Sequence, residues 1–291
     1  MAVGTYALIT LQQLKDWLGE TGSSNDSHLE RVIDATTARI ETYIGREIKA
    51  RDRVEFHDGN VRTLRLSHFP VNSCAFIGWG RQNVMQITSA ERTDISATAS
   101  ITSQEPHTTS RGLLLTRVES NGTQTQLTKL LSSYPTVTLL AAEVAASVGW
   151  GATVLSDFPS KYLHRMGPSD AIDGDVLLTA PSRRAARYRM DSLAGTIEFP
   201  SGFNTDDWEE LDEEWGSESQ VVVVDYNAGY STVPADIVDA CLQIAAAAWR
   251  ARFMNANVQS ETLDVYSYTS AVRDASLDLL DNLLGGWKEI R

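Results

Sequence analysis

The chain has 291 residues, 42% of them hydrophobic and 22% charged, with seven tryptophans; that is enough apolar material for a sizeable core, spread over two domains, and it excludes wholesale disorder. A formal charge of −13 argues against a sequence-independent DNA binder, which needs clustered Lys and Arg. An acidic surface serves solubility, or forms a wall that DNA slides past.

Thr10 followed three residues later by Gln13 is a capping box, and Leu11, Leu14, Trp17 and Leu18 supply the apolar face of a short helix stopped by Gly19. A polar turn, GSSNDS, leads to a second helix with Leu29, Val32, Ile33, Ile40, Tyr43 and Ile44 at helical spacing, ending at Gly45. Val54–Phe56 and Thr63–Leu66 then read as strands joined by the turn His57-Asp58-Gly59-Asn60, and FPVNSCAFIGWG continues the sheet. From about Gln82 to Pro106 the composition shifts to Thr, Ser and Ala with modest alternation, and further strands are expected at Gly112–Val118 and Thr123–Leu130. A helix fits Val137–Val148, with Val137, Leu140, Ala141, Val144 and Val148 on one face and Gly149 as its stop; GWGATVLS reads as another strand.

Near the C-terminus, VVVVDYNAGY is a strand buried on both faces, turned by Gly229. Pro234 and Asp236 suit the first turn of the following helix, whose face is Ile237, Cys241, Ile244, Ala245, Ala248 and Trp249. The alanine run 245–248 allows close helix approach. Ser270–Arg291 reads as an amphipathic helix with Val272, Ala275, Leu279 and Leu283 on one face, broken at Gly285-Gly286, with WKEIR as a tail.

Chemistry-bearing motifs are sparse. Histidines 28, 57, 68, 107 and 164 lack zinc-ligand spacing, His57-Asp58 fits a turn, and no GxSxG, Walker A or GxGxxG motif stands in a strand–turn–helix context. No cofactor, metal or catalytic residue is expected. The acidic run Asp206, Asp207, Glu209, Glu210, Asp212, Glu213 and Glu214 carries no basic residue. It reads as a channel rim that repels phosphate, or as a solvated loop; it lacks the spacing of a calcium loop and the pocket of a carboxylate pair. The basic stretch Arg183, Arg184, Arg187 and Arg189 with Tyr188 suits nucleic acid, or an acidic surface of this chain or a neighbouring subunit. Cys74 and Cys241 are the only cysteines, both in apolar surroundings, so buried free thiols and cytoplasmic synthesis are expected. MAVGTYALIT has no basic n-region or long apolar core, and no apolar run reaches bilayer length.

The order helix, helix, short strands, then strand–turn–helix resembles the gp6-like head–tail connector (adaptor) proteins of tailed bacteriophages. The likeness is carried by LITLQQLKDWLG, HLERVIDATTARIETYIGREI, LRLSHFPV, GTIEFPSGF and YNAGYSTVPADIVDACLQIAAAAW, and covers roughly the first 80 and last 100 residues. It implies an α+β fold: a mainly helical connector core with a small antiparallel sheet, formed by 1–82 and 191–291, and an inserted α+β domain at 83–190. It also implies a structural virion protein in the neck, forming a dodecameric ring between the portal and the next neck or tail component and extending the DNA channel. Portal engagement through the C-terminal region makes Trp287, Lys288, Ile290 and Arg291 candidate anchors, against the alternative of a frayed helix end. Arg183, Arg184, Arg187, Arg189, Tyr226 and Tyr230 are candidate subunit contacts. The alternatives are a hydrolase, or a carbohydrate- or receptor-binding module in the insert lined by Trp79 and Trp150; for those tryptophans core packing is the simpler reading.

Overall fold

The computed structural model describes residues 3–287 apart from 60, 62, 92, 104–110, 173, 186, 199–220, 252–259, 264–265 and 270–274, with side chains also left aside at 103, 260–263, 266–269 and 275–279. The chain divides into two compact units. The first comprises Met1–Arg51, Ser67–Pro70 and Ala228–Arg291; the second comprises Asp52–Leu66 and Val71–Asn227.

The first unit opens on the capping box. Thr10 Oγ1 accepts from the backbone N–H of Gln13 at 3.2 Å, and Gln13 Oε1 accepts from that of Thr10 at 2.7 Å. These bonds satisfy donors that helix α1 (Leu11–Leu18) leaves open at its start. Thr10→Ala is expected to cost about 1 kcal/mol, read as a lower urea midpoint at unchanged slope; an unchanged midpoint would mean that packing alone holds this helix start. Helix α2 (Asp26–Ile44) buries Leu29, Ile33, Thr36, Thr37, Ile40 and Ile44. Helix α4 (Ala235–Ala251) buries Ile237, Ala240, Cys241, Ile244, Ala245, Ala246 and Trp249. These faces meet Leu8, Ile9, Leu14 and Ile48, and Leu280 and Leu284 of α5 (Ala275–Leu284), in one core. Burial pushes the Cys241 thiol up to about 12, as expected of a thiol that serves as a small apolar side chain.

Two expected apolar positions need correction. Trp17 is 45% exposed, its indole standing off the α1 seam that Leu14 fills. Ala248 is exposed on α4. In α5 Leu280 and Leu284 are buried and Leu283 is partly buried; Val272 lies outside the described residues, as do the side chains of Ala275 and Leu279.

The second unit is built from strands. Antiparallel pairing orders β7 (Gln124–Leu130), β6 (Arg111–Val118), β5 (Ser96–Ser103) and β9 (Met166–Asp170) in one sheet, and β10 (Val176–Ala180), β4 (Gln82–Ser89) and β8 (Trp150–Val154) in another. Helix α3 (Val137–Ala145) starts at Thr136, whose Oγ1 accepts from the Leu139 N–H, and packs on β8 and β4. Their shared core includes Val84, Met85, Ile87, Leu113, Leu115, Leu140, Val144 and Trp150. Trp150 is 4% exposed, so it packs the core and lines no groove, whereas Val148, expected on the buried face, is 88% exposed beyond the end of α3.

The remaining strands make two smaller sheets: β1 (Arg51–His57), β14 (Val222–Ala228), β3 (Val71–Trp79) and β11 (Arg183–Arg184); and β12 (Arg189–Asp191), β13 (Thr196–Glu198) and β2 (Thr63–Arg65). The expected hairpin of β1 with β2 is therefore absent: the two lie in different sheets, each paired with a strand distant in sequence. Both cysteines are free, Cys74 half-buried in β3.

The α+β class agrees with expectation. Over the described residues strand outnumbers helix, and 1–82 and 191–291 themselves supply strands to both smaller sheets. The compact units also do not divide at 82/83 and 190/191. The short β11 pairs with β3 and the distant β13 with β2, so strands on both sides of those points share sheets.

Candidate functional site

The strand–glycine–helix junction is tied down by main-chain hydrogen bonds. Gly229 has φ +111°, and its N–H donates to the Pro70 carbonyl at 2.8 Å. Tyr230 then donates to Ile48 O at 2.8 Å and accepts from the Ala50 N–H at 3.0 Å, forming a parallel bridge with Lys49. Pro234 precedes α4 directly, where its missing N–H costs nothing, and Asp236 lies in the first turn, favoured by the helix dipole.

The C-terminal tail returns to this junction. After α5 a 3-10 turn, Gly285–Trp287, carries the indole of Trp287 against Tyr230, edge to face, with centroids 5.9 Å apart and planes at 78°. Trp287 Nε1 donates to Asp236 Oδ2 at 2.8 Å. Trp287 is thus engaged within its own unit. Lys288, Ile290 and Arg291 lie outside the described residues, as do Asp206, Asp207, Glu209, Glu210, Asp212, Glu213 and Glu214.

The other expected contacts separate. Arg183 and Arg184 are exposed on β11, Arg187 and Arg189 are exposed nearby in sequence, and Tyr188 is 37% exposed. Tyr230 is half-buried. Tyr226 is corrected: it is 1% exposed, its hydroxyl donating to Glu55 Oε1, and so presents no surface to a neighbour. β14 is buried on both faces at this point, and a buried tyrosine hydroxyl needs a partner of this kind.

Two features escaped the sequence reading. A groove of about 650 Å³ between α2 and α4 is lined by His28, Arg31, Ala35 and Arg39 from one side and Ala248 and Trp249 from the other. Positions 28, 31, 35 and 39 repeat at helical spacing, so the charged stripe was readable once the polar face was traced as closely as the apolar one. In the second unit, Asp225 is 5% exposed within β14 and accepts from Lys161 Nζ and from the Tyr162 hydroxyl, both at 2.6 Å. Burial, then the bond to Asp225, pushes the Tyr162 phenol well above its usual range. This charge inside a run of valines was visible in the sequence, but its partners stand more than sixty residues away and carry no local signal.

Among the described residues no three or more His, Cys, Asp or Glu side chains converge as a metal site, and no helix is long and apolar enough to cross a membrane. His57 Nε2 lies 3.2 Å from Glu55 Oε2, and not in a pair with Asp58.

Residues 8–66 match the family model of phage gp6-like head-tail connector proteins, a segment spanning α1, α2, β1 and β2. The resemblance read from the sequence is matched over this segment. No curated protein matches the chain. Among solved structures, a chain described as the neck of an empty GTA particle, computed with C6 symmetry, is 11% identical, covers 100% of this chain and 95% of its own length, and has a TM-score of 0.40.

Proposed function

We propose, from the connector signature over residues 8–66, that the chain is a structural head–tail connector of a phage-type virion. It assembles after DNA packaging as a closed homo-oligomeric ring, of dodecameric order to match the portal, and joins the portal to the next neck or tail component. Packaged DNA passes through without sequence-specific contact, in keeping with the formal charge of −13. The role calls for no catalytic step. The observation that carries the reading is the family match over α1 and α2, two of the helices that build the core of the first unit.

In this reading, Lys288, Ile290 and Arg291 engage the portal, while Trp287 holds the turn that presents them. Arg183, Arg184, Arg187 and Arg189 face acidic groups of the neighbouring subunit, where charge complementarity fixes register in a head-to-tail ring. The acidic run 206–214 lines the channel, and residues 83–190 are an insertion relative to the connector family.

The test is electron microscopy of the purified chain mixed with its cognate portal, beside a chain ending at Trp287. That end point keeps the indole on Asp236 and Tyr230 and removes only the proposed anchor. A ring seated on the portal that is lost on truncation is the expected result. A ring that persists keeps the connector role and moves the anchor elsewhere. A chain that stays monomeric and ignores the portal overturns the proposal.

A further inference from the structure

The second unit contains a cavity of about 230 Å³ lined by Asp52, Arg53, Arg111, Ser132, Lys161 and Asp225, among others. Two of its walls are buried guanidinium groups: Arg53 is 6% exposed and Arg111 7%. Removing such a charge from water is costly unless a counter-charge accompanies it, and among the described residues the partners of Arg111 are neutral. Its Nη2 donates to Leu163 O at 2.5 Å, its Nη1 reaches Lys161 O at 3.5 Å, and its guanidinium carbon stands 4.0 Å from the Phe56 ring centroid. Its Nε has no hydrogen-bond partner among the described residues. Burial, with Arg165 nearby, pushes Arg111 down to about 9, which expresses the cost of holding a cation here.

The carboxylates that line the same space have partners other than Arg111. Asp225 takes both Lys161 Nζ and the Tyr162 hydroxyl at 2.6 Å, and Asp52 accepts from Asn227 Nδ2 at 2.8 Å. Three basic side chains, Arg53, Arg111 and Lys161, gather on this lining, inside a chain whose formal charge is −13. The volume is smaller than the roughly 300–1,000 Å³ that cofactor-sized ligands occupy, yet several times the ~30 Å³ share of one water. A small polyatomic anion fits that range and would accept from guanidinium, ammonium and hydroxyl donors together.

We propose that this cavity binds a small oxyanion of the phosphate or sulfate type, held by Arg111, Lys161 and Arg53. The anion supplies the counter-charge that Arg111 lacks and so stabilises the second unit independently of ring assembly.

The test uses the full chain titrated with inorganic phosphate, and separately with sulfate, at constant ionic strength in chloride buffer, read by calorimetry and thermal midpoint. One-to-one saturable heat and a rising midpoint are expected. Arg111→Met should abolish both. Lys161→Gln should weaken binding about ten-fold; the Lys161 side chain is 52% exposed, so this variant tests the site even where Arg111→Met does not fold. Arg31→Gln, on α2 in the first unit, should bind as the parent does. The proposal is overturned by no saturable heat in the parent, or by Lys161→Gln binding with unchanged affinity.

Discussion

Gly229→Ala is expected to destabilise the chain by about 3–5 kcal/mol, a large share of the ~5–15 kcal/mol that separates folded from unfolded domains. Two costs combine. At φ +111° an L-residue carries backbone strain of about 1–3 kcal/mol. The added Cβ would also lie 2.8 Å from Ile48 O and from the carbonyl carbon and oxygen of Lys49; overpacking of that kind typically costs another 1–3 kcal/mol. These are main-chain atoms, so no side-chain rotation relieves the clash. Nor can the chain back away cheaply, because the Gly229 N–H is held by Pro70 O and both polar groups of Tyr230 are held by Ile48 and Ala50. The control is Gly122→Ala: Gly122 has φ +85° with nothing within 4 Å of an added Cβ, so it carries conformational strain without the clash. Chemical denaturation should place Gly229→Ala well below Gly122→Ala, with a thermal midpoint lower than the parent's by roughly 10 °C. Equal losses in the two variants would show that the junction tolerates the extra atom.

That junction was also the most legible part of the chain, for a physical reason. A β-branched run, a glycine, a proline and an apolar 3–4 repeat act through neighbours in sequence, so β14, the turn and α4 follow from local chemistry. The capping box at Thr10 and Gln13 is local in the same sense. Strand pairing is not. β2 meets β13 across more than a hundred residues and β1 lies beside β14, and no periodicity within β1 or β2 selects those partners over the nearby turn HDGN. Trp17 and Val148 sit at helical spacing yet face outward, because spacing defines a face without setting how far the partner surface extends. The polar cluster of the second unit was hidden for the same reason as the sheets. Arg111 reads as an ordinary strand terminus until Phe56, Lys161 and Leu163 are brought against it. The proposed connector surfaces were legible chiefly as charge runs, and of these the four arginines from 183 to 189 lie among the described residues, all exposed.

His164 should make the stability of the chain depend on pH between about 6.5 and 4, with the folded state losing ground as acid is added. The imidazole is 2% exposed, with Nδ1 3.1 Å from Thr179 Oγ1 and the ring edge-on to Phe56. Burial, then the positive charges of Arg81 and Arg111, push it down from 6.5 to about 4. The sign follows from proton counting. Below 6.5 the unfolded chain takes up a proton at this position, whereas the folded chain refuses it until about 4, so each step of acidification in that window favours unfolding. The neutral imidazole's contribution is fully present above 6.5 and is lost as pH falls through the window. Linkage puts the loss between pH 7 and pH 5 at about 2 kcal/mol. Other groups titrating in this range are shared with His164→Asn, in which an amide stands near the position of Nδ1 and takes no proton. The difference between parent and variant therefore isolates the histidine. Urea midpoints at pH 7 and pH 5 in chloride buffer should show the parent falling further than His164→Asn by about 2 kcal/mol, with the variant below the parent at pH 7 because its shorter side chain leaves a gap against Phe56. Parallel losses in the two proteins would mean that His164 accepts its proton in the folded state as readily as in the unfolded one, and that the positive side chains around it do not oppose its charge.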